Sequence, residues 1–225
     1  ISNGIHPLSV SIENFEKQMK FMVNNGYHSI FLTDLNNLND VNKKYFIITF
    51  DDGYVDIYEN ALPILQKYNL KSICFFVSDY IGKYNIWDKD KENFIKLNLM
   101  NVDQIKNWNK QGMQVGLHTA NHKNLKNIDY NDKLEQIELP KKVFSKNLSI
   151  NIDSFSYPFG QYDDESFKIV KKNYNFAVTT KRSRYKKNRF DLCKLPRVPI
   201  NKSDGMFKFY LKIKTIYEDI KYNEN

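Results

Sequence analysis

Short apolar runs alternate with amphipathic helical stretches along almost the whole chain. That alternation restricts the fold more than any other feature. Ser11 is placed to cap a helix whose Phe15, Met19 and Met22 share one face, and Gly26 ends it. His28 to Leu32 reads as a short strand. Phe46-Ile47-Ile48-Thr49-Phe50 is rich in β-branched and aromatic residues, the pattern of a buried strand, and Val55 to Tyr68 follows as a helix. A strand at Ser72 to Val77, a helix at Val102 to Lys110 and a strand at Met113 to Leu117 come next. A helix over roughly Asn131 to Lys146 leads to a strand at Asp153 to Ser156. Asp163 to Asn173 reads as helix, Phe176 to Thr180 as extended and Asp204 to Glu218 as helix. Strands separated by helices pair in parallel, so the expected class is α/β with a parallel sheet. The length of 225 residues and the 41% hydrophobic content suit one domain, residues 1–225, with a sizeable core.

Three polar clusters stand at the carboxyl ends of expected strands. The first is Thr49-Phe50-Asp51-Asp52-Gly53. Adjacent carboxylates at the exit of a buried strand repel each other and lose solvation, a cost that a bound metal or a proton transfer turns to use. Taken alone, the pair fits a turn better, because Asp-Gly is a common loop dipeptide and either Asp can cap the next helix. The second cluster, His118-Thr119-Ala120-Asn121-His122, holds two of the chain's four His. Spacing of i and i+4 can aim both imidazoles at one centre. Two His and one carboxylate leave positions open for water and substrate, the pattern of a catalytic divalent metal. The third cluster is Phe155-Ser156-Tyr157-Pro158-Phe159-Gly160, where Pro158 and Gly160 fix a turn that can present a backbone N–H to an oxyanion. By itself it reads as an ordinary βα turn. Convergence of all three on one sheet edge is the argument, since sites of α/β folds assemble there.

In this order and spacing, Thr-Phe-Asp-Asp-Gly, His-Thr-x-x-His and Tyr-Pro-Phe-Gly resemble the polysaccharide deacetylase family, carbohydrate esterase family 4, from about Val10 to about Ile200. Ser11 to Met19, Tyr80-Ile81-Gly82 and Trp87-Asp88 are similar to the branch that contains biofilm poly-N-acetylglucosamine deacetylases. The resemblance implies a distorted (β/α)7 barrel. It implies Asp51 as general base and Asp52, His118 and His122 as ligands of a divalent metal, usually Zn2+, with Co2+ or Ni2+ as substitutes. It implies a partner that is an acetylated amino-sugar glycan, whose N-acetyl group is hydrolysed by water activated at the metal. The Phe159 N–H would help hold the oxyanion.

The chain departs from the family in two places. The Arg that the family places two residues before the motif Pro is Ser156 here. The late Leu-x-His that supplies the family's general acid reads Leu195-Pro196-Arg197, and no His follows His122. Arg197 is therefore expected to partner Asp51, against the alternative of a surface or groove arginine. Asp51, once protonated, is expected to return the proton to the leaving amine, with slow turnover. Trp87 is read as an aromatic wall for the sugar or as a loop anchor. Tyr157 and Tyr162 are read as groove residues, Thr119 and Asn121 as shaping the metal loop, and Trp108 as core. His6 and His28 are given no ligand role. The competing functions are a related amide hydrolase, of deformylase or cyclic-amidase type, and a glycan-binding homologue with a weak site.

The net charge of +8 is Lys-driven and spread along the chain. It reads as a solvated surface, with attraction to an anionic envelope or glycan as the functional alternative. There is no nucleic-acid motif, and no apolar run approaches the ~20 residues of a membrane-spanning helix. Cys74 lies in a strand-like run and Cys193 is far along the chain, so neither spacing nor count argues for a disulfide. Tyr80 to Met100 is a long polar insertion placed to gate substrate. The chain begins at Ile1 without Met, so upstream residues bearing a signal or anchor are expected, and the resemblance leans towards the cell envelope. Nothing in the sequence fixes an oligomeric state.

Overall fold

In the computed structural model, which describes residues 1–2, 9–38, 40 and 42–221, six parallel strands lie side by side in chain order. They are β3 (Ile48–Phe50), β4 (Ser72–Phe76), β5 (Gln114–Leu117), β6 (Ser154–Ser156), β7 (Phe176–Arg182) and β8 (Leu195–Arg197). Two earlier strands, β1 (Tyr27–Ser29) and β2 (Lys44–Phe46), form a parallel ladder of their own. Helices α1 (Ile12–Asn24), α2 (Leu62–Lys67), α3 (Val102–Lys110), α4 (Tyr130–Leu148) and α5 (Asp164–Asn173) connect or flank the strands, and α6 (Met206–Lys214) and α7 (Tyr217–Lys221) close the chain. A curled parallel sheet in chain order with helices outside is the expected (β/α)7-type barrel in distorted form.

Alternate residues of β4 enter two apolar layers, as the two-residue period of a strand requires. Cys74 and Phe76 join the larger layer with Met19, Leu65, Trp108, Ile137 and Phe144. Ile73 and Phe75 join the smaller one with Ile30, Leu32, Leu35, Phe176 and Leu195. Both faces are covered, so β4 reads as an unbroken apolar run. Trp108 is fully buried, its Nε1 donating to Gln114 O at 2.9 Å. Cys74 and Cys193 are both buried and free.

Four elements differ from expectation. The Phe46–Phe50 run breaks at Ile47, because β2 pairs with β1 while β3 pairs with β4. His28 to Leu32 is strand only to Ser29, and Leu32–Asn37 winds into 3-10 turns. The helix after Asp52 passes through a π turn, Ile57–Ala61; Pro63, with no N–H to donate, sits at the start of the regular helix α2. The last helix divides because Thr215 is extended, with φ −120° and ψ 174°.

Candidate metal centre

Each of the three strand exits turns through a left-handed residue. After β3, Asp52 has φ 71° and Gly53 φ 81°. A Cβ on Gly53 would lie 2.4 Å from the Phe76 ring, so only glycine fits. The reversal separates the neighbouring carboxylates and gives each its own partners. After β5, Thr119 has φ 67° and His122 φ 65°. The Thr119 hydroxyl donates to His118 O at 2.5 Å and accepts the His122 N–H at 2.9 Å, which closes the loop. The Asn121 N–H donates to Gln136 Oε1 at 3.2 Å and ties the loop to α4. After β6, Phe159 has φ 58° and Gly160 φ 67°; a Cβ on Gly160 would lie 2.0 Å from Thr180 Oγ1.

These turns bring Asp52, His118 and His122 together, with one ligand atom from each within 4.8 Å of the others. Asp52 Oδ1 lies 3.5 Å from His118 Nε2 and 3.4 Å from His122 Nε2. That separation matches two ligands each about 2.1 Å from a shared centre at a tetrahedral angle. His118 Nδ1 lies 2.7 Å from Ser156 O and donates to it, which leaves the Nε2 lone pair facing Asp52. Burial pushes the His118 pKa down, so the ring is neutral and ready to ligate. Asp52 Oδ1 is buried without a hydrogen-bond partner among the described residues. A buried acceptor left so costs about 1–3 kcal/mol, which a cation offsets. Donor set, spacing and orphaned oxygen all fit a divalent metal.

Asp51 faces elsewhere. Arg197, from β8, grips its carboxylate with both Nη atoms, at 2.9 and 2.8 Å. Arg197 is fixed by Nε donating to Thr179 O at 2.9 Å, and by contacts to Thr49 Oγ1 at 3.2 Å and Ser156 Oγ at 3.4 Å. It is neither a surface nor an unpaired arginine. Ser156 is fully buried, and its small side chain leaves room for the guanidinium. Burial pushes the Asp51 carboxyl up, but the Arg197 charge, the His118 ring and the hydrogen bonds from Arg197 and Ser156 outweigh it. They hold the group well below the usual carboxylate range.

Aromatic side chains crowd His122. Trp87 stacks on its ring with centroids 4.7 Å apart and planes 19° apart, and Trp87 also packs 5.6 Å from Tyr80. Phe159 meets the His122 ring edge-on at 4.9 Å while remaining 53% exposed. Its backbone N–H donates to no group among the described residues. Tyr157 is a correction: its ring is fully buried in the core, with the hydroxyl donating to Cys193 O at 3.2 Å, so its side chain lines no groove. Tyr162 packs on it at 4.8 Å. His28 lies in β1 beside Tyr45, apart from the triad, and His6 falls outside the described residues.

Two residues of the site region carried no signal in the sequence. The Tyr54 phenol is pushed far up, by burial first and then by the Asp52 and Asp88 carboxylates. Only its position two residues after Asp52 marks it. Asn85 is buried, donates to Asp88 Oδ2 and Ile95 O and accepts the Leu97 N–H at 2.8 Å. It holds the Tyr80–Met100 insertion in shape, yet it looks like any other Asn of an Asn-rich chain.

The polysaccharide deacetylase family model matches residues 38–176. YxkH of Bacillus subtilis strain 168, a protein named for the polysaccharide deacetylases, is 30% identical over 186 residues, 80% of this chain; the chain spans 61% of that protein's length. A poly-β-1,6-N-acetyl-D-glucosamine N-deacetylase of Staphylococcus aureus is 26% identical over 94% of this chain and 73% of its own. The structure of Streptococcus pyogenes deacetylase PplD in complex with acetate superposes with a TM-score of 0.79 at 25% identity, over 93% of this chain and 89% of that one. No helix among the described residues is long and apolar enough to cross a membrane. With its motifs, its parallel curled sheet and the Asp-His-His cluster at one edge, the chain belongs to the polysaccharide deacetylase family.

Proposed function

We propose that this chain is a metal-dependent hydrolase that removes N-acetyl groups from an N-acetylglucosamine-containing polysaccharide. The observation that carries the proposal is the convergence of Asp52 Oδ1, His118 Nε2 and His122 Nε2 beside an Asp51 kept ionised by Arg197. A divalent cation held by Asp52, His118 and His122, with zinc first by donor set and cobalt or nickel as substitutes, would polarise the amide carbonyl and acidify a water.

Asp51 accepts the proton of the attacking water. The Arg197 fork fixes the carboxylate plane and keeps it charged between turnovers. The Phe159 N–H, which has no acceptor among the described residues, donates to the oxyanion that forms at the amide carbon. No His follows His122 in the chain, so Asp51 returns its proton to the leaving amine. A base held so far below neutral gives up that proton readily but takes it up weakly, which favours slow turnover.

The printed substrate of the S. aureus relative supports an N-acetylglucosamine polymer, and the acetate in the S. pyogenes neighbour supports deacetylation. The exposed Phe159 ring at the rim supports a polymer over a small enclosed amide. Net charge +8 supports action at an anionic cell envelope. The test is acetate and free-amine release from β-1,6-linked N-acetylglucosamine oligomers, before chelation, after it and after zinc or cobalt is restored. Release that stops with chelator and returns with metal supports the reading. Bound metal without release from any acetylated glycan points to the glycan-binding alternative.

A further inference from the structure

We propose that Trp87 and Phe159 are positioning residues for the metal: their rings clamp His122 and replace the hydrogen bond that such a ligand ordinarily makes. The inference rests on the reading of Asp52, His118 and His122 as a metal site. The two histidines are held in different ways. His118 donates through Nδ1 to Ser156 O at 2.7 Å, which fixes both its tautomer and its ring plane. His122 Nδ1 is buried and has no hydrogen-bond partner among the described residues. Its ring is instead covered on one face by Trp87, at 4.7 Å and 19°, and met edge-on by Phe159 at 4.9 Å and 78°. A stacked face and a perpendicular edge together restrict rotation about both side-chain bonds.

The clamp also joins the insertion to the metal. Trp87 lies in a 3-10 turn, Ile86–Asp88, that Asn85 braces from within. The Tyr84–Asn98 bridge closes the insertion on itself; the Tyr54–Leu99 bridge and the Gly53 carbonyl, which accepts the Met100 N–H at 2.8 Å, sew it to the site edge. Trp87 thus couples the insertion to the metal site, because what holds the insertion in place also holds the His122 ring. This assigns Trp87 a role other than that of a sugar wall, since one of its faces is taken by the imidazole.

The test is Co2+ titration of the metal-free protein in chelator-buffered solution, read by cobalt absorption for affinity and by tryptophan fluorescence for contact. Trp87→Ala should weaken Co2+ binding about tenfold, the scale on which ligand-orienting partners act. Trp87→Phe should stay within about threefold of the parent, because an aromatic face is kept. Co2+ should quench the parent's fluorescence, and most of that quenching should vanish in Trp87→Phe, leaving the buried Trp108. Unchanged affinity in Trp87→Ala overturns the clamp. So does a loss in Trp87→Phe equal to that in Trp87→Ala at an unchanged melting temperature. A parent protein that binds no Co2+ defeats the metal reading itself and the clamp with it, so the two failures are distinguishable.

Discussion

Two regions of this molecule bury charge, and they do so in opposite ways. Between the end of β7, α6 and α7, each charge meets its opposite. Lys212 is fully buried with Nζ 2.6 Å from Asp204 Oδ2, 3.8 Å from Glu218 Oε1 and donating to Pro199 O at 2.6 Å. Lys208 lies 2.7 Å from the other Asp204 oxygen, and Arg182 grips both Glu218 oxygens at 3.0 Å. At the metal centre, by contrast, the partners of the Asp52 carboxylate are two imidazoles, 3.5 and 3.4 Å from its Oδ1, and His122 Nδ1 is buried without a hydrogen-bond partner among the described residues. Of the eight non-glycine residues with positive φ among the described residues, four are Asp52, Thr119, His122 and Phe159. Charge matched within the chain holds the chain together. Charge left over on a backbone held in a costly conformation marks a place prepared for something from outside.

The sharpest way to break this contrast is to exchange the consequences. Asp52→Ala should abolish metal binding and lower acetate release by about a thousandfold or more, since the cation's contribution is several kcal/mol. Elemental analysis with the assay checks it, and full metal content in the variant would remove Asp52 from the ligand set. Lys212→Met should cost about 1–3 kcal/mol of stability by removing the buried cation that Asp204 and Glu218 share, with Lys208 and Arg182 left as their partners, yet leave metal affinity unchanged. Chemical denaturation and Co2+ titration read the two effects separately.

Arg197→Ala should cut turnover about ten- to a hundredfold with metal content intact. Its pH dependence carries a sign. With the guanidinium gone, burial raises the Asp51 pKa, so the acid limb of kcat/KM should move to higher pH. In the parent, the Asp51 pKa is depressed, so the ion pair's stabilisation is present above the ordinary carboxylate pKa. It is lost as pH falls through the depressed value, and the stability gap between parent and variant should close only in acid. An acid limb that stays in place would mean another group controls it. The smallest effect is the most particular: Asp52→Asn should stabilise the metal-free protein by about 1 kcal/mol, because Asn tolerates a left-handed backbone and carries no unpaired charge. A less stable Asn variant would show that Asp52 serves the fold as well as the site.

Much of this architecture was legible in the residues. The apolar run of β4 and the helical stretches α1 and α5 announce themselves by period, and α1 also by its capping Ser11; that Asp163 caps α5 is seen only in the structure. The metal triad was legible because its members sit at strand ends, where a parallel fold brings distant segments together. The pairing of Arg197 with Asp51 followed from a missing arginine at 156 and a spare one at 197, and the distances agree with it. What stayed hidden depends on side-chain direction. Tyr157 sits in the site motif, but the left-handed turn at Phe159 comes after it, so its ring follows the strand into the core. The break at Ile47 was invisible because the apolar run continues from Phe46 through Ile47 to Ile48, and only the partners of β2 and β3 separate them. The bond from His118 to the Ser156 carbonyl has no side-chain signature at all, since any residue there offers the same oxygen.

Stepwise addition of zinc to the metal-free protein, with acetate release from β-1,6-linked N-acetylglucosamine oligomers followed at each step, is the most direct test that Asp52, His118 and His122 form one catalytic metal site. Turnover should climb in proportion to zinc and level off at one ion per chain. Acetate release that is already complete without zinc, or that never appears with the site filled, would contradict it.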